Sequence, residues 1–286
     1  MRGPRKWDWT AIVLMSPAMA IFLGLLVMPI LVVLVLSFGE RAEAGGYQAA
    51  FTLAQYANLP ARWAAFRNTL TLAPLGTALS LLAAYPLAYY LAVKVSARSR
   101  LLLLILVIVP FWTSFLIRTY AWIFILGGKG LPVLLDMIGI PDVRLINTPF
   151  AVLVGIVYGY LPLMVFPIFV SLERLDKRLL EASDDLGASP SRTFLQITLP
   201  LSAPGAVTGC MLVFILLMGE YLIPALLGGG KVFFIGNALV DLFLQSRNWP
   251  FGSAVAVSLV IIMLVTVTVY LRVTLKNRNM RDQALV

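Results

Sequence analysis

Histidine is absent from this 286-residue sequence, and cysteine occurs once, at Cys210. The first absence removes imidazole acid–base chemistry and the second any internal disulfide. Together they remove Cys/His zinc sites. Charge is scarce as well. Only 12% of residues are Asp, Glu, Lys or Arg, about half the share of a typical soluble domain. No G-x-x-x-x-G-K-[ST] loop occurs. The run Gly228-Gly229-Gly230-Lys231 continues with Val232, so it is read as a flexible turn and not as a phosphate site. What is plentiful is apolar: 60% of the residues are hydrophobic. This is the composition of an integral membrane protein.

The net charge of +9 does not point to nucleic acid. The basic residues gather at the ends of apolar runs, with no basic block interleaved with aromatics, which is the pattern of orientation signals. A spanning helix needs about 20 mostly apolar residues. Six segments qualify, at about 11–38, 68–93, 101–126, 149–172, 204–227 and 251–272. Arg2, Arg5 and Lys6 ahead of an apolar run with Ala18-Met19-Ala20 resemble a signal peptide. That run, however, continues to Phe38, well past the roughly 7–15 residues of such a segment, and is read as an uncleaved span.

With the N-terminus in the cytoplasm, 14 Lys and Arg fall on inner segments, 7 on outer ones and one, Arg118, within a span. The bias expects both termini inside. The organisation is then a cytoplasmic N-terminus (1–10), a six-span domain (11–272) with a cytoplasmic loop at 173–203, and a cytoplasmic tail (273–286). Pro17 and Pro29, Pro74 and Pro86, Pro110, and Pro162 and Pro167 fall in four consecutive spans. Each removes a helix hydrogen bond that lipid cannot replace, so the spans are expected to face neighbours or a water-lined cavity in a bundle built to move.

The inner loop is polar and strongly punctuated: "LLEASDDLGASPSRTFLQITLPLSAPG", Leu179 to Gly205. Asp176 can cap a helix whose apolar residues Leu175, Leu179, Leu180 and Leu186 recur at helical spacing. Gly187 stands where a left-handed residue ends it. Ser189-Pro190 reads as N-cap and first residue of a second helix. Phe194, Ile197 and Leu201 give that helix an apolar stripe, and Pro200 and Pro204 are expected to break it. The loop is therefore expected to be a rigid helix–turn–helix.

Glu181-Ala182-Ser183, three residues, Gly187, nine residues and Ile197-Thr198-Leu199-Pro200 resemble the "EAA" signature of ABC importer permeases, E-A-A-x3-G-x9-I-x-L-P. The sequence departs from it at Ser183, a residue nearly as small as the Ala it replaces. The resemblance implies an all-α integral membrane fold of six transmembrane helices, a type I ABC importer permease-like bundle with a cytoplasmic coupling helix that docks on a separate ATPase. The ATPase-coupling residues it implies are Glu181, Ala182, Ser183, Asp184, Gly187, Ala188, Ile197, Leu199 and Pro200. Small Ala182 and Ser183 let a partner's backbone approach, and Glu181, Asp184 and Asp185 offer charge to a basic rim. "VPFWTSFLIRTYAWIFIL" (Val109 to Leu126), "GEYLIPALLGGGKVFFIGNALV" (Gly219 to Val240) and "RNWPFGSAVAVSL" (Arg247 to Leu259) are similar to the spermidine/putrescine branch. Opine and other organic-cation importers share similar stretches. The likeness runs from about Thr52 onward.

That resemblance implies a bacterial inner-membrane protein. Its partners would be a second, homologous permease subunit, two copies of a cytoplasmic ATPase, a periplasmic substrate-binding protein and membrane lipid. ATP and magnesium would be bound by the ATPase, and no cofactor by this chain. Apart from Arg118, Glu220 is the only ionised residue deep in a predicted span, where a carboxylate costs about 3 kcal/mol on insertion scales. It either attracts ammonium groups of a polyamine or pairs with Arg118, and both hold if substrate displaces the pair. Tyr120, Trp122, Tyr158, Tyr160 and Tyr221 fall in nearby spans and can line a cation path. Asp241 is expected in an outer loop, 228–250. An ion-coupled secondary transporter of an organic cation is the alternative, disfavoured by the lack of an internal repeat and the few intramembrane charges. A membrane enzyme is disfavoured by the lack of His, of paired carboxylates and of a nucleophile elbow.

Overall fold

A computed structural model describes residues 9–43 and 45–284. Arg2, Arg5 and Lys6, and residues 285–286 of the expected tail, lie outside the described residues. The architecture is all-α, with an isolated β-bridge between Glu40 and Gln48. In chain order the helices are α1 (Trp9–Leu36), α2 (Ala54–Ala57), α3 (Trp63–Tyr89), α4 (Ala97–Trp112), α5 (Phe115–Leu126), α6 (Leu131–Met137), α7 (Pro149–Glu173), α8 (Lys177–Asp185), α9 (Pro190–Thr193), α10 (Leu199–Met218), α11 (Leu222–Leu227), α12 (Ile235–Val240) and α13 (Trp249–Ala284). Three π-helical turns, Tyr90–Lys94, Phe194–Thr198 and Asp241–Gln245, extend α3, join α9 to α10 and follow α12. Among the described residues six helical stretches are long and apolar enough to cross a membrane.

The chain divides into two compact units. The first holds the described residues up to Ala61 together with Asp241–Ile262. Its α1 buries none of its apolar window, and side chains such as Leu14 and Leu25 are 76% exposed. Such a surface is stable only against hydrocarbon or another apolar partner. Beyond α1, Ser37 Oγ meets the Tyr56 hydroxyl at 2.7 Å, and Phe38 stacks on Phe51 with centroids 5.1 Å apart. The Arg41 guanidinium donates to the Ser246 carbonyl at 2.9 Å.

The second unit, Arg62–Val240 with Met263 onward, has its core where α3, α7 and α10 pack together. Ala73, Ala84, Val152, Ile156, Met164, Val165, Val213 and Leu217 are wholly buried there. The helices approach closely because the residues between them are small. A Cβ at Gly205 would collide with the Pro167 carbonyl oxygen, so α10 rests directly on the backbone of α7. At one end Arg100 ties three elements together. It ion-pairs with Glu173 at 3.1 Å and donates to the carbonyls of Ala92 and Val95, at 3.1 and 3.3 Å, which the end of α3's π turn leaves free.

Several boundaries differ from the sequence expectation. The expected span 101–126 is interrupted, because Thr113 and Ser114 are extended, with ψ of 151° and 132°. The Thr113 hydroxyl bonds back to the Pro110 carbonyl at 2.7 Å and so competes with helix continuation. The expected span 204–227 begins and ends earlier than predicted. Pro200 and Pro204 do not break the second loop helix, since α9, the π turn and α10 form one run, Pro190–Met218. The Leu199 N–H bonds five residues back, to the Phe194 carbonyl. This widened turn accommodates Pro200, which has no N–H to offer and whose ring crowds the preceding turn. The run stops at Met218, two residues before Glu220.

The expected outer loop 228–250 is largely helical. Ile235, Gly236, Asn237 and Ala238 are buried. Thr69 Oγ1 accepts from the Ile235 N–H at 2.9 Å, and Asn237 Nδ2 donates to the Tyr221 carbonyl at 2.7 Å. Buried backbone there finds side-chain partners, the Ile235 N–H from α3 and the Tyr221 carbonyl from α12, as irregular backbone inside a membrane protein must.

Candidate functional site

The first candidate is the hairpin of α8 and α9. Asp176 accepts from the Arg178 N–H at 3.0 Å and starts α8. Gly187, with φ of +73°, ends it in the left-handed region that costs glycine nothing. The Gly187 and Ala188 N–H groups bond back to the carbonyls of Asp184 and Ser183, and Ser189 Oγ accepts from the Arg192 N–H to start α9. A buried hydrogen bond, Ser183 Oγ to Thr193 Oγ1 at 2.8 Å, pins the two helices together.

The hairpin turns one face inward and one outward. Glu181, Ala182, Asp184 and Gly187 are exposed and Ala188 is half-buried. Leu199 is exposed, and Ile197 and Pro200 are half-buried. Ser183 differs from its neighbours in being buried, so it serves the inside of the hairpin and is not part of the open face. Phe194 joins the hairpin to α3. Its ring meets those of Tyr85 and Tyr89 edge-on, both with centroids 5.7 Å away. The Tyr85 hydroxyl reaches Ser202 Oγ at 2.6 Å. The sequence marked Phe194 as apolar but gave no sign of these ring partners, which lie over 100 residues away.

The second candidate is a cavity of about 500 Å³ at the breaks between α4 and α5 and between α10 and α11. Of the residues named from sequence, Arg118, Tyr160, Glu220 and Tyr221 line it. Tyr120 is 49% exposed and does not. Trp122 and Tyr158 pair edge-to-face, with centroids 5.6 Å apart, outside the lining. Phe111, Thr113 and Phe115 do line the cavity and were not anticipated.

Glu220 is 8% exposed and fully engaged. Its Oε1 accepts from the N–H groups of Leu222 and Ile223, at 2.7 and 3.1 Å, which caps α11. Its Oε2 accepts from the Tyr160 hydroxyl. Of the two roles left open for Glu220, the pair with Arg118 is not formed. Arg118 instead lies over two phenyl rings, 4.9 Å from the centroid of Phe111 and 5.4 Å from that of Phe115, and its buried Nε has no hydrogen-bond partner. The break explains both facts. Ending α10 at Met218 frees the N-terminus of α11, whose unpaired N–H groups take the carboxylate first.

Residues 84–281 match the family described as "binding-protein-dependent transport system inner membrane component". A spermidine/putrescine transport system permease protein, PotB, from Haemophilus influenzae is 42% identical over 258 residues, which cover 88% of this chain and 90% of that protein. PotB from Salmonella typhimurium is 40% identical over 288 residues, 99% of each chain. A solved bacterial ABC transporter involved in the import of the acidic polysaccharide alginate superposes with a TM-score of 0.74 at 18% identity, covering 94% of this chain and 96% of that one. The likeness shows that the fold is that of an ABC importer permease. Nothing in these relatives supports the ion-coupled alternative. By this family match over most of its length and by its nearly full-length relatives, the chain belongs to the binding-protein-dependent transport system inner membrane component family, as a multi-pass permease of the inner membrane.

Proposed function

We propose that this chain forms half of the translocation path of an ATP-driven importer of polyamines, such as spermidine or putrescine, or of a similar organic cation. In this reading it pairs with a second, homologous permease subunit and receives substrate from a periplasmic binding protein. Two copies of a cytoplasmic ATPase, which hold the ATP and magnesium, drive it. Both termini and the hairpin face the cytoplasm. The substrate assignment draws on what the PotB relatives are named for.

The observation that carries the coupling role is the construction of the hairpin. It is capped at both helix starts, closed by a left-handed glycine and locked by Ser183–Thr193. Its second helix opens an unbroken run of 29 residues, Pro190–Met218, long and apolar enough to cross a membrane. A push on Glu181, Ala182 and Asp184 is thereby delivered as a rigid displacement to α10, and through Phe194 to α3. Packed helices respond by switching between discrete arrangements. That is the requirement for alternating access. The breaks at 113–114 and 219–221 lie where the cavity would open or close.

The test is co-purification. Gly187→Val forces a β-branched residue into the left-handed region and tilts the two short helices. The expected result is a permease that still inserts but no longer retains its ATPase. Retention of the ATPase by this variant, with normal ATP-dependent spermidine uptake in vesicles, would overturn the coupling role. Uptake that survives ATP depletion and follows an ion gradient would overturn the energy source.

A further inference from the structure

We propose that Phe111 and Phe115 form a seat for an ammonium group of the transported cation, and that Arg118 is a tethered placeholder that leaves the seat when substrate arrives. This rests on the organic-cation reading above. Aromatic faces attract cations within about 6 Å of the ring centroid. The Arg118 guanidinium satisfies that for both rings, at 4.9 and 5.4 Å. The seat is thus already filled by a cation, supplied by the chain itself.

Three features make the occupant displaceable. The carboxylate that lines the same cavity, Glu220, is committed to capping α11 and to Tyr160, so no ion pair anchors Arg118. Its buried Nε–H meets no acceptor, an unfavourable arrangement that leaving the seat relieves. An alkylammonium is a more compact cation than guanidinium and can take the same ring faces without orphaning a fixed donor. A structural arginine in such a place would be expected to hold the nearest carboxylate.

The break at Thr113-Ser114 creates the seat. Phe111 lies in the last turn of α4, one residue before its end at Trp112, and Phe115 opens α5. The extended Thr113 and Ser114 between the two helices let both rings meet one guanidinium. A cavity of about 500 Å³ falls within the roughly 300–1,000 Å³ usual for small ligands. A linear amine with one charge over the rings would run past Tyr160 and Tyr221, whose oxygens and π-faces suit its remaining charges. Neutral solutes lack the electrostatic attraction to the ring faces and anionic ones are repelled by them, so the seat favours cations.

The test uses the complete transporter, with both permease subunits, ATPase and binding protein, reconstituted in vesicles. Spermidine and choline uptake are measured at saturating binding protein. Phe111→Leu and Phe115→Leu keep apolar bulk and remove the ring face. Each is expected to lower the maximal uptake rate by roughly 3- to 30-fold, with KM unchanged because capture by the binding protein precedes the seat. Arg118→Gln is expected to move the rate the other way, up by about threefold, since no tethered cation then competes. A merely structural role would lower uptake in all three variants, so the opposite sign is the signature. The amount of assembled transporter, measured by gel filtration, separates misfolding from function.

Spermidine uptake at the wild-type maximal rate in both leucine variants overturns the seat. A fall in Arg118→Gln equal to that in the leucine variants overturns the placeholder. Wild-type vesicles that import choline but not spermidine, with the same opposed responses, keep the seat and overturn the polyamine assignment. Wild-type vesicles that import neither overturn both.

Discussion

The polar contacts described within the hairpin reach across ten residues or fewer, whereas Glu220, besides its local bonds to Leu222 and Ile223, is held by a hydroxyl 60 residues away. The hairpin is written locally. Caps, a glycine and a serine–threonine bond, all between residues close in sequence, shape it. The cavity is assembled from α4, α5, α7, α10 and α11, none of which contains the site by itself. A part that must act as a stiff handle has its geometry fixed by adjacent residues. The part that must open and close draws its geometry from contacts between separate helices, which can be exchanged.

The strongest way to break this contrast is Glu220→Ala. It strips the acceptor from the Leu222 and Ile223 N–H groups and from the Tyr160 hydroxyl, each costing about 1–3 kcal/mol when buried. The thermal midpoint of the purified transporter is expected to fall markedly, and an unchanged midpoint would show that the cap is dispensable. Gly187→Val follows, with about 1–2 kcal/mol of left-handed strain confined to the hairpin. ATPase retention is expected to fall while the midpoint hardly moves. A global loss of stability would show that the hairpin is not an independent unit.

Ser183→Ala is expected to cost about 1 kcal/mol through the lost bond to Thr193. Hydrogen exchange should detect it in α8 and α9 and nowhere in α7. Smallest of all, Glu181→Gln removes an exposed charge and is expected to alter stability by less than about 0.5 kcal/mol. Its effect should appear as a weaker salt dependence of ATPase attachment. A large stability change in this variant would mean that the outer face of α8 is buried by something within the chain.

The uneven legibility of the sequence has the same origin. Asp176, Gly187 and Ser189-Pro190 announced two short helices and their turn, because caps and left-handed residues act over one turn of helix. The interruption at Thr113-Ser114 passed unread, since apolar residues run on through both sides and hydropathy cannot register a change of direction. Glu220 was legible as costly but not as a cap. Its acceptors are spoken for only once α10 stops at Met218, near a segment whose Phe233 carbonyl and Ile235 N–H are held by Asn68 and Thr69 of α3. Phe111 and Phe115 read as ordinary span residues, and only the turn between their helices sets them around Arg118.

By itself, then, the sequence determined an all-α membrane chain, its family and a stiff polar hairpin, because apolar length and helix punctuation are properties of neighbouring residues. The tertiary structure alone decided which carboxylate is satisfied, which cation is left on aromatic faces and where the spans break. Those outcomes depend on competition among hydrogen-bond partners brought together from distant segments, and in a medium without water each buried polar group must take the partner that packing supplies.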